Sequence, residues 1–194
     1  MMADFCKCRP SKQCGAAVIE FPLMVLGLLV LILGLFAVYK ILYLQTRLDS
    51  TAYSLVSAAS RALVANGHVK SYHQDSAEHL MVLAKPSMPA ELDLSKLGLV
   101  LEMRFFTEDQ AEVITQRAGN ECQIEKPIES LAELAPTSHS RVASLEGKTA
   151  NLYQVTVCVS QPLESVSPIL KWLELPFPTK LQSQAVAIGR RYSA

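Results

Sequence analysis

Nineteen consecutive uncharged residues, Phe21 to Tyr39, interrupt an otherwise mixed pattern of polar and apolar positions. At ~1.5 Å rise per residue such a run spans roughly 28 Å as a helix, close to the ~30 Å hydrocarbon core of a bilayer. Pro22 is expected in the first turn of that run, where a missing N–H costs little. Tyr39, Lys40 and Tyr43 follow, residue types that anchor at the membrane–water interface. From Leu48 the pattern changes to a stripe. Leu48, Ala52, Leu55, Val56, Ala59, Ala62 and Leu63 recur at helical spacing. No Pro or Gly occurs between Leu35 and Asn66, and Asn66-Gly67 is a helix stop signal. The two patterns together predict one helix over 16–65, about 75 Å long if unbroken. It would be transmembrane over 16–44 and amphipathic over 45–65.

Beyond residue 66 the periods shorten. A brief helix is expected over Ser76–Leu83, closed by Pro86 and Pro89. Leu99, Leu101, Met103 and Phe105 alternate with Glu102 and Arg104, which predicts a strand over Leu97–Phe106. Strands are also expected over Glu112–Arg117, Leu152–Ser160 and Gln182–Ile188. The third is the clearest, with Tyr153, Val155, Val157 and Val159 alternating with Gln154, Thr156 and Cys158. Strands this close, without long helices between them, favour an antiparallel sheet. The fold class is therefore α+β, with residues 66–194 an exported domain whose sheet packs on the second half of the long helix. Glu121, Glu125, Glu129 and Glu133 recur every four residues and read as the exposed face of a helix. Glu108-Asp109-Gln110-Ala111-Glu112 reads as a solvated turn.

Composition sharpens this picture. The chain has 194 residues, half of them apolar, with a mean hydropathy of +0.23. The excess sits in the single run, so one membrane crossing is expected. Eighteen basic and eighteen acidic residues cancel, which argues against a nucleic-acid partner. Lys7, Arg9 and Lys12 against Asp4 precede the run, and Lys40 and Arg47 against Asp49 follow it. This bias favours an N-terminus inside the cell and the C-terminal domain outside. The run is too long for an ordinary secretory signal, and no small-residue cleavage pair follows it.

The junction before the run is Lys12-Gln13-Cys14-Gly15-Ala16-Ala17-Val18-Ile19-Glu20-Phe21. A glycine ends a basic leader, and a lone glutamate follows five residues later. A carboxylate at the edge of a membrane segment is costly and usually marks function. This junction resembles the class III signal of type IV pilins and pseudopilins. The resemblance implies that a membrane prepilin peptidase cuts between Gly15 and Ala16, removing residues 1–15. Glycine suits such a site because a backbone without Cβ enters a narrow cleft. Glu20 would then pair with the new α-amino group, on its own chain or a neighbour, and set helix register.

Further segments narrow the resemblance. Leu48 to Val56, Arg117-Ala118-Gly119-Asn120-Glu121-Cys122, Leu152 to Cys158 and Ser183 to Arg190 are similar to TadF-type proteins. These belong to the TadE/TadF group of the tight adherence (Tad, or Flp) pilus. The three leader cysteines and the low polarity of Ala185 to Ile188 depart from that pattern. The resemblance implies a minor pilin or pseudopilin of the inner membrane, with its domain in the periplasm, needed for assembly of a pilus used in adhesion and biofilm formation. Incorporation into the extracellular fibre stays open. Its implied partners are inner-membrane lipid, the prepilin peptidase, other Tad pilins and the assembly machinery.

Cys6, Cys8 and Cys14 lie in the leader and read as reduced thiols. Cys122 and Cys158 are an even pair in the exported domain. They are expected to form a disulfide worth roughly 3–4 kcal/mol by the chain-entropy account, with an intermolecular bridge or two buried thiols as rivals. His68, His73, His79 and His139 have no metal-binding spacing. No metal, cofactor or enzymatic activity is expected, since no phosphate loop, nucleophile elbow or carboxylate pair is present. Two other readings remain at this point. One is an uncleaved, membrane-anchored periplasmic binding module unrelated to a fibre. The other is a membrane-tethered enzyme.

Overall fold

The computed structural model describes residues 14–65, 76–90, 92–106, 111–138, 147, 149–162 and 178–192, with the side chains at 14–19, 62–65 and 190–192 outside that description. The leader before Cys14, the Asn66-Gly67 stop, His68, His73, His139, and Glu108 to Gln110 lie outside the described residues. So do the side chains of Ala62 and Leu63. The chain divides into two compact units, residues 1–40 and 41–194.

Helix α1 runs over Cys14–Ala65, two residues earlier than the apolar pattern places its start. Pro22 lies inside the helix, since the helix starts well ahead of the apolar run whose first turn Pro22 occupies. It removes the amide that would bond the Val18 carbonyl, a loss that membrane-spanning helices tolerate. Within the first unit the large side chains from Phe21 to Tyr39 are exposed almost without exception. This helix is long and apolar enough to cross a membrane.

The second unit is built on four antiparallel strands in the order β2-β1-β3-β4. They are β1 (Leu97–Phe106), β2 (Ala111–Gly119), β3 (Ala150–Ser160) and β4 (Lys180–Tyr192). Strand β4 extends well beyond the expected 182–188. Its backbone pairing with β3 continues from Lys180 and resumes at Tyr192 past an irregularity between Ala150 and Leu152. Apolar alternation cannot register pairing of this kind. Helix α2 (Ser76–Ala84) ends in a 3-10 turn at Pro86, as the proline pattern predicts.

One sheet face and the 41–65 part of α1 enclose the main core. Leu44, Leu48, Ala52, Leu55, Val56 and Ala59 meet Leu99, Leu101 and Met103 of β1 and Val155, Val157 and Val159 of β3. Helix α2 closes the β1–β2 side with Ala77, Leu80, Met81 and Ala84. Leu48 has no exposed surface. Leu48→Ala should therefore cost about 2–5 kcal/mol, because cores refill a cavity only in part. In thermal unfolding this is a fall of about 5–20 °C in Tm. Tyr53→Ala, one helical turn away on the exposed side of α1, should stay within ~0.5 kcal/mol of wild type.

The glutamate series does not form an α-helix. Glu121 and Glu125 lie in irregular chain, and Glu129 and Glu133 on a 3-10 helix, Ile128–Leu134. Pro127 stands between the two pairs, and an interior proline breaks α-helical bonding. The four side chains are nevertheless exposed.

Candidate functional site

Gly15 and Ala16 lie in the first turn of α1. The amides of a first turn have no intrahelical acceptors, so this stretch is the least costly part of a helix to unwind. Glu20 follows four residues after Ala16, hence over the same helical face, and its side chain is exposed. At the other end of the apolar run, the Lys40 ammonium sits 5.7 Å from the Phe36 ring centroid. In the second unit, the Arg47 guanidinium lies 5.3 Å from the Tyr43 ring centroid and donates to its hydroxyl at 3.2 Å. Gln45 donates to Asp49 and to the Gln182 carbonyl, both at 3.2 Å, joining α1 to the first residues of β4.

The sequence-predicted cysteines meet on the sheet face opposite α1. Cys122 and Cys158 are bridged, with Cα atoms 5.8 Å apart, inside the usual disulfide range. Gly98 of β1 pairs with Cys158 on one side and Gly119 on the other. The chain turns back over β1 directly after β2, helped by Gly119 at φ +76°. There the Asn120 amide donates to the Leu97 carbonyl at 2.9 Å, and its side chain to Ser160 at 2.7 Å. A Cβ on Gly98 would run into the Asn120 carbonyl oxygen and lie 2.9 Å from both sulfurs. Gly98 is thus the floor on which the bridge rests, a residue that the sequence reading passed over. A glycine inside a strand pattern was the available signal, since it often marks close backbone approach.

Residues 120–136 cross this second face. Two small apolar clusters pin them. Cys122 and Ile124 meet Val100 and Cys158, and Ile128, Leu131 and Ala135 meet Leu152, Phe106 and Val113. Between the clusters lies a polar layer. Glu102 is 3% exposed and accepts from the Gln154 amide at 3.0 Å, and the same nitrogen donates to the Lys126 carbonyl at 2.7 Å. Burial pushes the Glu102 carboxyl above the usual carboxylate range. The Ile128 N–H opposes that, Glu129 adds to it, and Arg117 opposes it weakly. Arg104 donates to the Glu129 carbonyl at 3.2 Å and lies over the Phe106 ring. Alternation places Glu102 and Arg104 on the far face, and the structure does so too; that face is covered instead of open to water.

No group of three or more metal-ligating side chains occurs among the described residues. A surface hollow of about 410 Å³ lies between α2 and the β1–β2 side, lined by Met81, Val82, Leu94 and Leu97 with Glu78 and Lys85 at its polar positions.

The model of one protein family, TadF, described as tight adherence pilin protein F, matches residues 10–190. No curated protein and no solved structure matches the chain.

Proposed function

The chain belongs to the TadF family, and from that premise we propose that it is a minor pilin or pseudopilin, cut by a prepilin peptidase after Gly15, that acts in assembly of a Tad pilus. Its family gives it a role as a pilin of the Tad system, and its apolar helix fits a single-pass membrane anchor. The finer reading rests on one observation. A single helix, Cys14–Ala65, holds the Gly15–Ala16 junction in its first turn, presents an apolar surface over Phe21–Tyr39, and goes on into the core of an α+β domain. This division lets one element serve as membrane anchor, as a surface for other pilin helices, and as a core element of the domain.

In this reading the leader faces the cytoplasm and the domain the periplasm, following the basic excess before the run. The peptidase opens the first helical turn to reach the bond between Gly15 and Ala16. The α-amino group created at Ala16 and the Glu20 carboxylate stand four residues apart on one helix. In a low-dielectric bundle an unpaired carboxylate is costly, so a neighbour in the wrong register is disfavoured. Cys122 and Cys158 hold the domain oxidised in the periplasm.

The N-terminal sequence of the protein extracted from membranes tests this. A start at Ala16 is the expected result. A start at Met1 or Met2 would overturn processing and favour the uncleaved, anchored binding module.

A further inference from the structure

We propose that Tyr43, Thr46, Arg47 and Ser50, on one exposed face of α1, form a binding site for the phosphate headgroup of an anionic phospholipid in the leaflet nearest the domain. This rests on the reading of α1 as a membrane anchor and adds the ligand that fixes its depth.

Helical spacing assembles the site. Residues 43, 46, 47 and 50 stand three and four apart on α1, so their side chains share one face. All four are exposed. Leu44 and Leu48, interleaved with them in sequence, turn the other way into the main core. The exposed face thus carries an aromatic ring, aliphatic hydroxyls and a guanidinium, with no acid among the four.

Arg47 is held in place. Helical side chains lean towards the helix N-terminus, which carries its guanidinium back over the preceding turn. There it lies 5.3 Å from the Tyr43 ring centroid, and its Nε donates to the Tyr43 hydroxyl at 3.2 Å. Both Nη nitrogens are left without an acceptor among the described residues. A guanidinium fixed in this way presents a planar fork that matches two oxygens of a phosphate. Asp49, the nearest acid in sequence, does not neutralise it. Residues two apart do not face each other on a helix, and Asp49 accepts from Gln45 at 3.2 Å. The Thr46 hydroxyl donates to the Leu42 carbonyl at 2.9 Å, which leaves its oxygen as an acceptor. Phosphate on the fork and a headgroup hydroxyl on Thr46 or Ser50 therefore complement this face.

Position along the helix selects a lipid as the source of that phosphate. Tyr43 stands four residues, about 6 Å of helical rise, past the end of the uncharged run. Headgroups extend roughly 5–8 Å beyond the hydrocarbon on each side. Leu42, next to Tyr43, is 61% exposed, so an apolar surface continues right up to the site and can take the start of an acyl chain. Charge then selects among lipids. A phosphatidylglycerol headgroup brings one anionic phosphate and free hydroxyls. Phosphatidylcholine brings a cation beside its phosphate, and none of the four residues offers a carboxylate to meet it.

Native mass spectrometry of the full-length protein in detergent micelles tests the proposal, by titration with phosphatidylglycerol and with phosphatidylcholine of the same acyl chains. Wild type should retain phosphatidylglycerol in preference to phosphatidylcholine. Arg47→Gln should weaken phosphatidylglycerol binding by about tenfold or more. Arg47→Lys keeps the charge without the fork and should fall nearly as far. Lys7, Arg9, Lys12 and Lys40 are present in every variant, so the difference between variants is the readout. Wild-type retention in Arg47→Gln would overturn the site. Wild-type retention in Arg47→Lys would reduce it to charge alone and overturn the fork. Excess inorganic phosphate should leave the lipid bound; displacement would reveal a free-anion site and overturn the lipid assignment. Resistance of the membrane-bound protein to carbonate washing is read alongside. Wild type and both variants should all resist it, since the apolar run is untouched. Wild type released by the wash would sink the anchor reading itself, a failure distinct from that of the lipid site.

Discussion

Gly98→Ala is expected to leave Cys122 and Cys158 unbridged in most molecules, and Gly98→Val to abolish cooperative unfolding of the second unit. The added Cβ meets the Asn120 backbone oxygen and both sulfurs, so no flexible side chain can move aside. Two relaxations are open. Residues 120–122 can lift, which separates the cysteines, or β1 can shift against β3, which misaligns the main core. Overpacking alone costs about 1–3 kcal/mol, and loss of a native disulfide a further ~2–5 kcal/mol. Their sum approaches the lower part of the ~5–15 kcal/mol that holds a whole domain together. Denaturant unfolding gives the stability, and peptide mapping of Cys122 and Cys158 gives the bridge, apart from the leader cysteines. Gly27→Ala makes the same chemical change where nothing lies within 4 Å of the added atom, and should alter neither. A Gly98→Ala protein with the wild-type midpoint and an intact bridge would show that the close approach at Gly98 is not structural.

Which parts of the fold were readable from sequence follows from how local each signal is. The stripe of Leu48, Ala52, Leu55 and Val56 and the alternation of Leu99, Leu101 and Met103 depend only on period, and both face the core as read. The ends of β4 depend on pairing with a partner strand and ran past the pattern. The glutamates at every fourth position had helical spacing, yet Pro127 and the pull of Ile128 into a pocket against Leu152 and Phe106 shaped that segment instead. Burial of Glu102 was hidden for a related reason. Alternation says which face a strand residue takes, not what covers that face. The two cysteines held the missing information, since a bridge from Cys122 to Cys158 draws the chain after β2 across the far face. Pro22 was misplaced because the helix starts in the leader junction, ahead of the apolar run that announced it. The candidate processing residues were legible only as a motif.

Gly15→Leu should leave the protein at precursor mass, with residues 1–15 attached and no assembly-competent form. A leucine at this position places a branched side chain where a narrow peptidase cleft has to admit bare backbone. A misplacement of ~1 Å at a scissile bond costs about a hundredfold in rate, so mature protein should fall to about a hundredth of wild type within the same time. The Gly15 substitution should not unfold residues 41–194, whose core is built from residues of that unit. Intact mass of membrane extracts measures the first effect, and near-ultraviolet dichroism of the purified precursor the second. Glu20→Ala separates the two roles assigned to this junction. It leaves the bond between Gly15 and Ala16 in place, so processing should proceed, while the carboxylate that selects helix register is gone. Mature protein that is made but fails to co-purify with other pilins is the expected outcome. If Glu20→Ala also blocked cleavage, Glu20 would be a recognition element for the peptidase, and the register argument would lose its support. Glu20→Gln then distinguishes charge from shape, because an amide can accept a hydrogen bond from the Ala16 ammonium but cannot neutralise it.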